Sequence, residues 1–195
     1  MLFIIAVLGG SILGLLLVVL RISSRRMLSG FAIAYIRLVQ GTPLLIQLFL
    51  ALFLRGIFGL RLHPLTAASI ALSINASAFL GEIWRGSVLA VGRGQWEAGS
   101  ALGLRHFHRL WLIVLPQAVR ISIPPTVGYL VQLMKATSLA SIIGFVDLMH
   151  AGQLLINATA QPMLIFSTVA AVYFCLCWPL SFLSRRLELK LAERR

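Results

Sequence analysis

The chain has 195 residues, of which 59% are hydrophobic and 11% are charged, and its mean hydropathy is +0.97. Soluble domains carry about a quarter charged residues, so this composition excludes a water-soluble globule and indicates a protein embedded in lipid. The formal net charge of +12 would suggest a nucleic-acid partner in a soluble protein. In a membrane protein the same charge is typical of cytoplasmic loops, and we expect no nucleic-acid partner.

The first predicted element is a membrane span over about residues 2–20. No Lys or Arg precedes it, whereas Arg21, Arg25 and Arg26 follow it directly. A cleaved signal peptide has the opposite order of charge. The pattern therefore predicts a retained helix whose amino-terminal end lies outside.

About 20 apolar residues cross a bilayer as a helix, and four further stretches approach this length: about 43–60, 64–81, 119–134 and 162–183. The run Ala136–Leu148 is also apolar but short, and a crossing helix there would place the C-terminal arginines outside. We therefore predict a short helix packed in the outer half of the bundle. The expected fold is a single all-α transmembrane domain over residues 1–195, with about five spans.

The basic residues divide unevenly between the two sides of this topology. Fourteen of the 17 fall in segments predicted to lie inside: Arg21, Arg25, Arg26, Arg37, Arg85, Arg93, Arg105, Arg109, Arg120, Arg185, Arg186, Lys190, Arg194 and Arg195. The outside keeps only Arg55 and Arg61, and Lys135 lies near the outer end of the fourth span. This bias predicts that the N-terminus is outside and the C-terminus inside.

A long polar segment over about residues 85–118 is predicted to lie inside. It reads as two short helices: Gln95 to Leu102, with Glu97 in its first turn, and an amphipathic run from Phe107. Gly103 between them fits a left-handed C-cap. Two interpretations stay open, namely a hairpin lying on the membrane surface and a docking element for a cytoplasmic partner.

Polar residues also occur within or beside the predicted spans: Asn75, Glu82, Gln132, Lys135, Thr137 and Ser138. A charge at membrane depth is costly and commonly marks a transport pathway or an ion pair. For Lys135 the alternative is that the long side chain reaches to the membrane surface. Cys175 and Cys177 lie in an apolar run and are expected to act as small hydrophobic residues, so we predict no metal site.

Several motifs together resemble one known family. Glu97-Ala98-Gly99, then Gly103, then Ile113-Val114-Leu115-Pro116 resembles the EAA loop of ABC-importer permeases. The motifs of the polar amino-acid uptake subgroup are matched, in family order, by Gly41-Thr42-Pro43-Leu44-Leu45 with Gln47, by Glu82-Ile83-Trp84-Arg85-Gly86, by Gly94-Gln95-Trp96-Glu97-Ala98, by Leu115-Pro116-Gln117-Ala118 and by Thr137-Ser138-Leu139-Ala140-Ser141. They cover nearly the whole chain after about residue 30.

The sequence departs from the family pattern at four positions in or beside these motifs. Gln40 replaces an arginine, Gly92 a proline and Gly99 the second alanine of the EAA signature. Ala136 stands where an acidic or amide residue usually follows the lysine. These departures bear on substrate preference.

The resemblance implies a multi-pass permease of the bacterial inner membrane, with a cytoplasmic coupling-helix loop and no cofactor. Its expected partners are cytoplasmic ABC ATPase subunits, an extracytoplasmic solute-binding protein, a second permease in a homo- or heterodimer, an amino-acid substrate and membrane lipid. The residues expected to couple to the ATPase are Glu97, Ala98, Gly99, Leu102, Gly103, Leu104, Leu115 and Pro116. The six polar residues named above are the candidate translocation pathway.

The chain lacks a G-x-x-x-x-G-K-[ST] loop, so ATP hydrolysis is expected from a partner, and the chain itself is not predicted to be an enzyme. Two alternatives are a self-contained channel or small exporter, which leaves the EAA pattern unexplained, and an intramembrane hydrolase using a serine and a histidine. The hydrolase is disfavoured because no G-x-S-x-G elbow is present.

Overall fold

The computed structural model describes residues 1–23, 25–57 and 63–192, with side chains described for 1–23, 25–53 and 63–189. The described residues form helices and connecting turns, so the predicted all-α fold is confirmed. The α-helices are α1 Leu2–Ile22, α2 Arg26–Gly41, α3 Leu44–Ile57, α4 Pro64–Leu89, α5 Arg93–Ala101, α6 His106–Arg109, α7 Leu115–Ala136, α8 Leu148–Thr159 and α9 Pro162–Ala192. A π-helix, Leu110–Val114, joins α6 to α7, and a 3-10 helix, Thr137–Ile143, follows α7.

Helices α1 and α4 run parallel and form the most closely packed pair in the described fold. Small residues make this approach possible: a Cβ built on Gly10 would lie 2.5 Å from Ala76 Cβ, and one on Gly14 3.3 Å from the Ser77 carbonyl oxygen. Without large side chains the two backbones come close enough for extensive van der Waals contact, which drives helix association in lipid. Helix α4 therefore lies at the centre of the bundle.

The second span is broken. Helices α2 and α3 meet at an angle of 103° around Thr42 and Pro43, where the proline cannot continue the helical hydrogen bonds of α2. The sequence predicted a span over 43–60 and a separate stretch before it, whereas the structure places α2 and α3 in one bent pair. Residues 58–60 of that predicted span lie outside the described residues, as do the side chains of Arg55, Arg61, Lys190, Arg194 and Arg195.

Two helices are longer than predicted. Helix α4 continues through Gly86 to Leu89, well past the expected end near residue 81. Residues His106–Ile143 form one continuous helical stretch of 38 residues, whereas the sequence predicted a polar segment to about residue 118 and a separate span over 119–134. Pro116 follows the π-helix directly, and the Ser184 hydroxyl donates to the Pro124 carbonyl oxygen at 2.9 Å.

After α7 the chain continues through the 3-10 helix and the short helix α8 before α9 begins. The 3-10 helix ends at Gly144 and Asp147 caps α8 by accepting a hydrogen bond from the His150 backbone N–H at 2.9 Å. The single short helix predicted over Ala136–Leu148 is thus a 3-10 segment and a connection, and α8 was not predicted. Among the described residues, four helical stretches are long and apolar enough to span a membrane, or five if the bent pair counts as one.

Candidate translocation chamber and coupling turn

An open pocket of about 120 Å³ lies between α4 and α7. Its described lining residues are Asn75, Phe79, Tyr129, Gln132, Leu133 and Ala136; we call it the chamber. The rings of Phe79 and Tyr129 stack with their centroids 5.3 Å apart and form an aromatic wall. The volume has room for several water molecules. The lining residues combine an apolar wall with amide and hydroxyl groups.

A chain of hydrogen bonds connects the chamber to the break between α2 and α3. The Gln47 amide nitrogen donates to the Val39 carbonyl oxygen at 2.7 Å and to the Thr42 carbonyl and hydroxyl oxygens at 3.1 and 2.9 Å. Its amide oxygen accepts from Asn75 Nδ2 at 3.2 Å, and Asn75 Oδ1 accepts from the Tyr129 hydroxyl at 3.4 Å. Gln47 therefore satisfies carbonyls that the broken helix leaves free and holds Asn75 in place.

This chain of bonds gives the Gly-Thr-Pro motif and Gln47 a structural reason that the sequence did not reveal. The motif was recognised, and Asn75 was a candidate pathway residue, but their connection was not predicted. The lining residues Phe79, Tyr129 and Leu133 were also missed. Their apolar and aromatic side chains read as ordinary membrane-helix residues.

Glu82, a second candidate pathway residue, forms ion pairs at the far end of α4. Its carboxylate accepts from Arg21 Nε at 3.3 Å and from Arg85 Nη2 at 2.6 Å. It lies seven residues beyond Asn75, which is about 10 Å along a helix. Here it ties the C-terminal ends of α1 and α4 together.

The remaining candidate pathway residues lie near the C-terminal end of α7 and in the 3-10 helix that follows it. Gln132 lines the chamber, and Lys135 is exposed one position before Ala136. The Thr137 and Ser138 hydroxyls donate to the carbonyl oxygens of Met134 and Lys135, each at 2.7 Å. These two hydroxyls thus bond within their own helix, and the structure brings only Asn75 and Gln132 of the six candidates into the chamber.

The segment after α5 makes a compact turn around Gly103. This glycine has φ of +70°, the left-handed conformation that the sequence predicted and that a Cβ would strain. The Leu104 N–H donates to the Gly99 carbonyl oxygen at 3.1 Å and the Gly103 N–H to the Ser100 carbonyl oxygen at 2.9 Å. This pair of bonds is a Schellman motif, and we call Leu102–Leu104 the coupling turn.

The predicted coupling residues surround this turn with different exposures. Leu102 is 76% exposed, Leu104 and Leu115 are half-buried, and Glu97, Ala98 and Pro116 are exposed. The prediction that Glu97 lies in the first turn of its helix is wrong, because α5 begins at Arg93 and has no acidic residue there. Glu97 is the fifth residue of α5.

Helix α5 packs against α6 and the π-helix through a close approach at Gly99. A Cβ on this residue would lie 2.9 Å from Arg109 Cγ and from Ile113 Cδ1. The Arg109 guanidinium donates to the Ser100 hydroxyl, and the rings of Trp96 and His106 stack 5.5 Å apart. These contacts fix α5 on the beginning of the long helical stretch that runs to the chamber.

Comparison with known proteins agrees with this architecture. A family model described as "Binding-protein-dependent transport system inner membrane component" matches residues 6–193. The chain belongs to this family. Membership favours the transport prediction over the self-contained channel and the intramembrane hydrolase, and it makes the chain a multi-pass membrane component of a transport system.

Two relatives illustrate the similarity of this permease to known transport components. It is 38% identical to the L-cystine transport system permease protein TcyB of Bacillus subtilis over 183 residues, covering 93% of this chain and 78% of that protein. It is 36% identical to the glutamine transport system permease protein GlnP of Escherichia coli K12 over 182 residues, covering 92% and 83%.

Solved structures show the same fold. The crystal structure of an amino acid ABC transporter with histidines contains a chain that is 32% identical, with a TM-score of 0.92 over 97% of this permease and 88% of that chain. An inward-facing structure of the MetNI methionine ABC transporter matches with a TM-score of 0.74 at 22% identity, covering 95% and 87%. The second match supports the fold alone.

Proposed function

We propose that this permease is the membrane-spanning subunit of an ATP-driven importer of polar amino acids in the bacterial inner membrane. An extracytoplasmic binding protein delivers the substrate, and the chamber between α4 and α7 receives it during translocation. ATPase subunits dock at the coupling turn, and two permeases pair to complete the transporter. The amino-acid systems named for its relatives support this substrate class.

One observation carries this proposal: a continuous helical stretch, His106–Ile143, begins two residues after the coupling turn and extends to the chamber. From His106 to Gln132 the distance is roughly 39 Å at the rise of an α-helix. Because no loop interrupts this stretch, a displacement at one end can reach the other. A partner that moves α5 therefore moves the α7 wall of the chamber.

The contacts define how this transmission works. ATPase closure displaces α5, and the packing of α5 on α6, with the Trp96–His106 stack, carries the displacement into α6. The α7 wall, with Tyr129 and Gln132, then shifts against α4. Asn75 stays in place because Gln47 holds it from the α2–α3 break, so the shift opens or closes the chamber.

Charge supports the orientation of the permease. Arg21 and Arg85 pair with Glu82 at the end of the bundle where α4 leads into α5, and Arg93, Arg105 and Arg109 belong to the same end. Basic residues collect on the cytoplasmic side of membrane proteins. We therefore place the coupling turn in the cytoplasm, with the N-terminus outside and the C-terminus inside.

Labelling from either side of sealed vesicles tests this orientation. A cysteine at Ser100 is expected to react only from the cytoplasmic side, and one at His63 only from outside, in a background lacking Cys175 and Cys177. Both sites are exposed. Reaction of both cysteines from the same side contradicts the five-span topology.

Reconstitution tests the function. The permease is placed in proteoliposomes with the ATPase and the binding protein of its transport system, and uptake of radiolabelled amino acids is measured. We expect uptake that requires ATP and the binding protein together. Uptake of no amino acid by a folded complex that hydrolyses ATP overturns the amino-acid assignment, and uptake without ATP overturns the importer mechanism.

A further inference from the structure

The described lining of the chamber carries no net charge. Its polar members are two amides and a phenol, from Asn75, Gln132 and Tyr129, and the others are Phe79, Leu133 and Ala136. Ala136 contributes only a methyl group on the same helix face as Gln132, four residues earlier. A substrate in the chamber therefore meets no carboxylate from these six residues.

The charged residues nearest to the chamber along α4 and α7 do not offer a cationic substrate an ion pair either. The Glu82 carboxylate is shared between Arg21 and Arg85 and lies about two helical turns from Asn75. The other neighbour is Lys135, a cation adjacent to Ala136. A positively charged substrate side chain thus gains no ion pair here and is repelled by the lysine.

The hydrogen-bonding groups of the chamber are both donors and acceptors. Asn75 Nδ2 gives one N–H to Gln47 and Tyr129 gives its O–H to Asn75, which leaves the second Asn75 N–H as a donor and the phenolic oxygen as an acceptor. Gln132 adds an amide with no partner among the described residues. This combination complements a carboxamide, which itself has both a donor and an acceptor.

We infer that the chamber accepts amino acids with a neutral, hydrogen-bonding side chain such as a carboxamide and rejects cationic side chains, with Ala136 as the specificity-determining position. This inference rests on the proposed translocation role of the chamber. A carboxylate at position 136 would stand beside Gln132 and supply the missing partner for a cation. The preference is a property of the permease, separate from that of any binding protein.

The test uses the purified permease–ATPase complex in lipid nanodiscs without the binding protein, so that only the membrane chamber selects. Equilibrium binding of radiolabelled L-glutamine and L-arginine is measured for the native chain, A136D and the uncharged control A136N. We expect the native complex to bind L-glutamine at least about tenfold more tightly than L-arginine. We expect A136D to shift this ratio toward L-arginine by about tenfold or more, and A136N to leave it within about threefold.

Equal binding of the two amino acids by the native complex overturns the inference. An A136D ratio unchanged from the native one overturns it as well, as does the absence of binding of either amino acid up to about 10 mM. None of these results touches the proposed function if the full system still imports an amino acid in proteoliposomes. Loss of all import there is the separate failure of the proposed function.

Discussion

The interface between α1 and α4 and the junction between α5 and α6 both depend on a glycine in close contact, but the contacts differ. At Gly10 the nearest atoms are Ala76 Cβ and its backbone, at 2.5 and 3.3 Å from a built Cβ. At Gly99 they belong to the long side chains of Arg109 and Ile113. The first interface can yield only if whole helices separate, whereas the second adjusts by side-chain rotation. The bundle core is therefore rigid, and the coupling region is adaptable.

The largest effect is expected from G10A. The added methyl group meets atoms fixed to the α4 backbone, and overpacking of this kind costs about 1–3 kcal/mol. We expect an unfolding temperature lower by several degrees, or loss of monodisperse protein in detergent. G30A is the matched control because a Cβ there has no neighbour within 4 Å, and equal stability of the two variants contradicts a rigid α1–α4 interface.

The next largest effect is expected from Q47E. An ionised carboxylate cannot donate to the Val39 and Thr42 oxygens, so their attraction becomes repulsion and Asn75 loses its fixed position. Each such bond contributes about 0.5–1.5 kcal/mol, and we expect uptake in proteoliposomes to fall about tenfold or more with assembly retained. Q47M removes the bonds without adding charge, and its uptake should lie between that of the native protein and that of Q47E. An uptake rate for Q47E equal to that of the native protein would show that the hydrogen bonds of Gln47 do not position Asn75 in the chamber.

Replacement of Lys135 by Leu should have a moderate effect. A lysine beside the chamber attracts the substrate carboxylate, and a partly exposed ion pair of this kind contributes up to about 1 kcal/mol. We expect uptake to fall roughly threefold to fivefold, while the complex assembles with its ATPase as before. Unchanged uptake would show that this side chain reaches to the membrane surface instead.

The smallest effect is expected from G99A, the counterpart of G10A in the adaptable region. Arg109 and Ile113 can rotate away from the new methyl group, so we expect transport to stay within about threefold of native. Thermal stability of the complex should be unchanged within a degree or two. A loss of stability as large as that of G10A would mean that the two junctions are equally rigid.

The sequence predicted the parts of this architecture that follow local rules. Apolar runs located the helices, and Gly103 was assigned a left-handed turn because glycine is the residue that adopts it without strain. The long helical stretch through Pro124 was not predicted, because α9, whose Ser184 hydroxyl donates to the Pro124 carbonyl oxygen, packs there only in the folded chain. The bond chain from Gln47 to Tyr129 was missed for the same reason: residues far apart in sequence meet only after the helices pack.

Candidate site residues divide in the same way. Asn75 and Gln132 were named as unusual polar residues in spans, and both line the chamber. Glu82 was named by the same rule and lies in an ion-pair cluster with Arg21 and Arg85. Desolvation cost identifies residues that need a partner, but it does not distinguish a substrate from an arginine.

The central claim is that the coupling turn controls the chamber through the long helix, and one labelling experiment tests it directly. A cysteine at Gln132 is introduced into a complex that lacks Cys175 and Cys177, and its modification rate is measured with and without ATP and vanadate. In the complex with native Gly103, and in G103N, whose asparagine tolerates positive φ, the rate should change with nucleotide. In G103V, where the turn is strained by on the order of 1 kcal/mol, we expect ATP hydrolysis without that change. A nucleotide-dependent rate in G103V equal to that with native Gly103 would contradict the account.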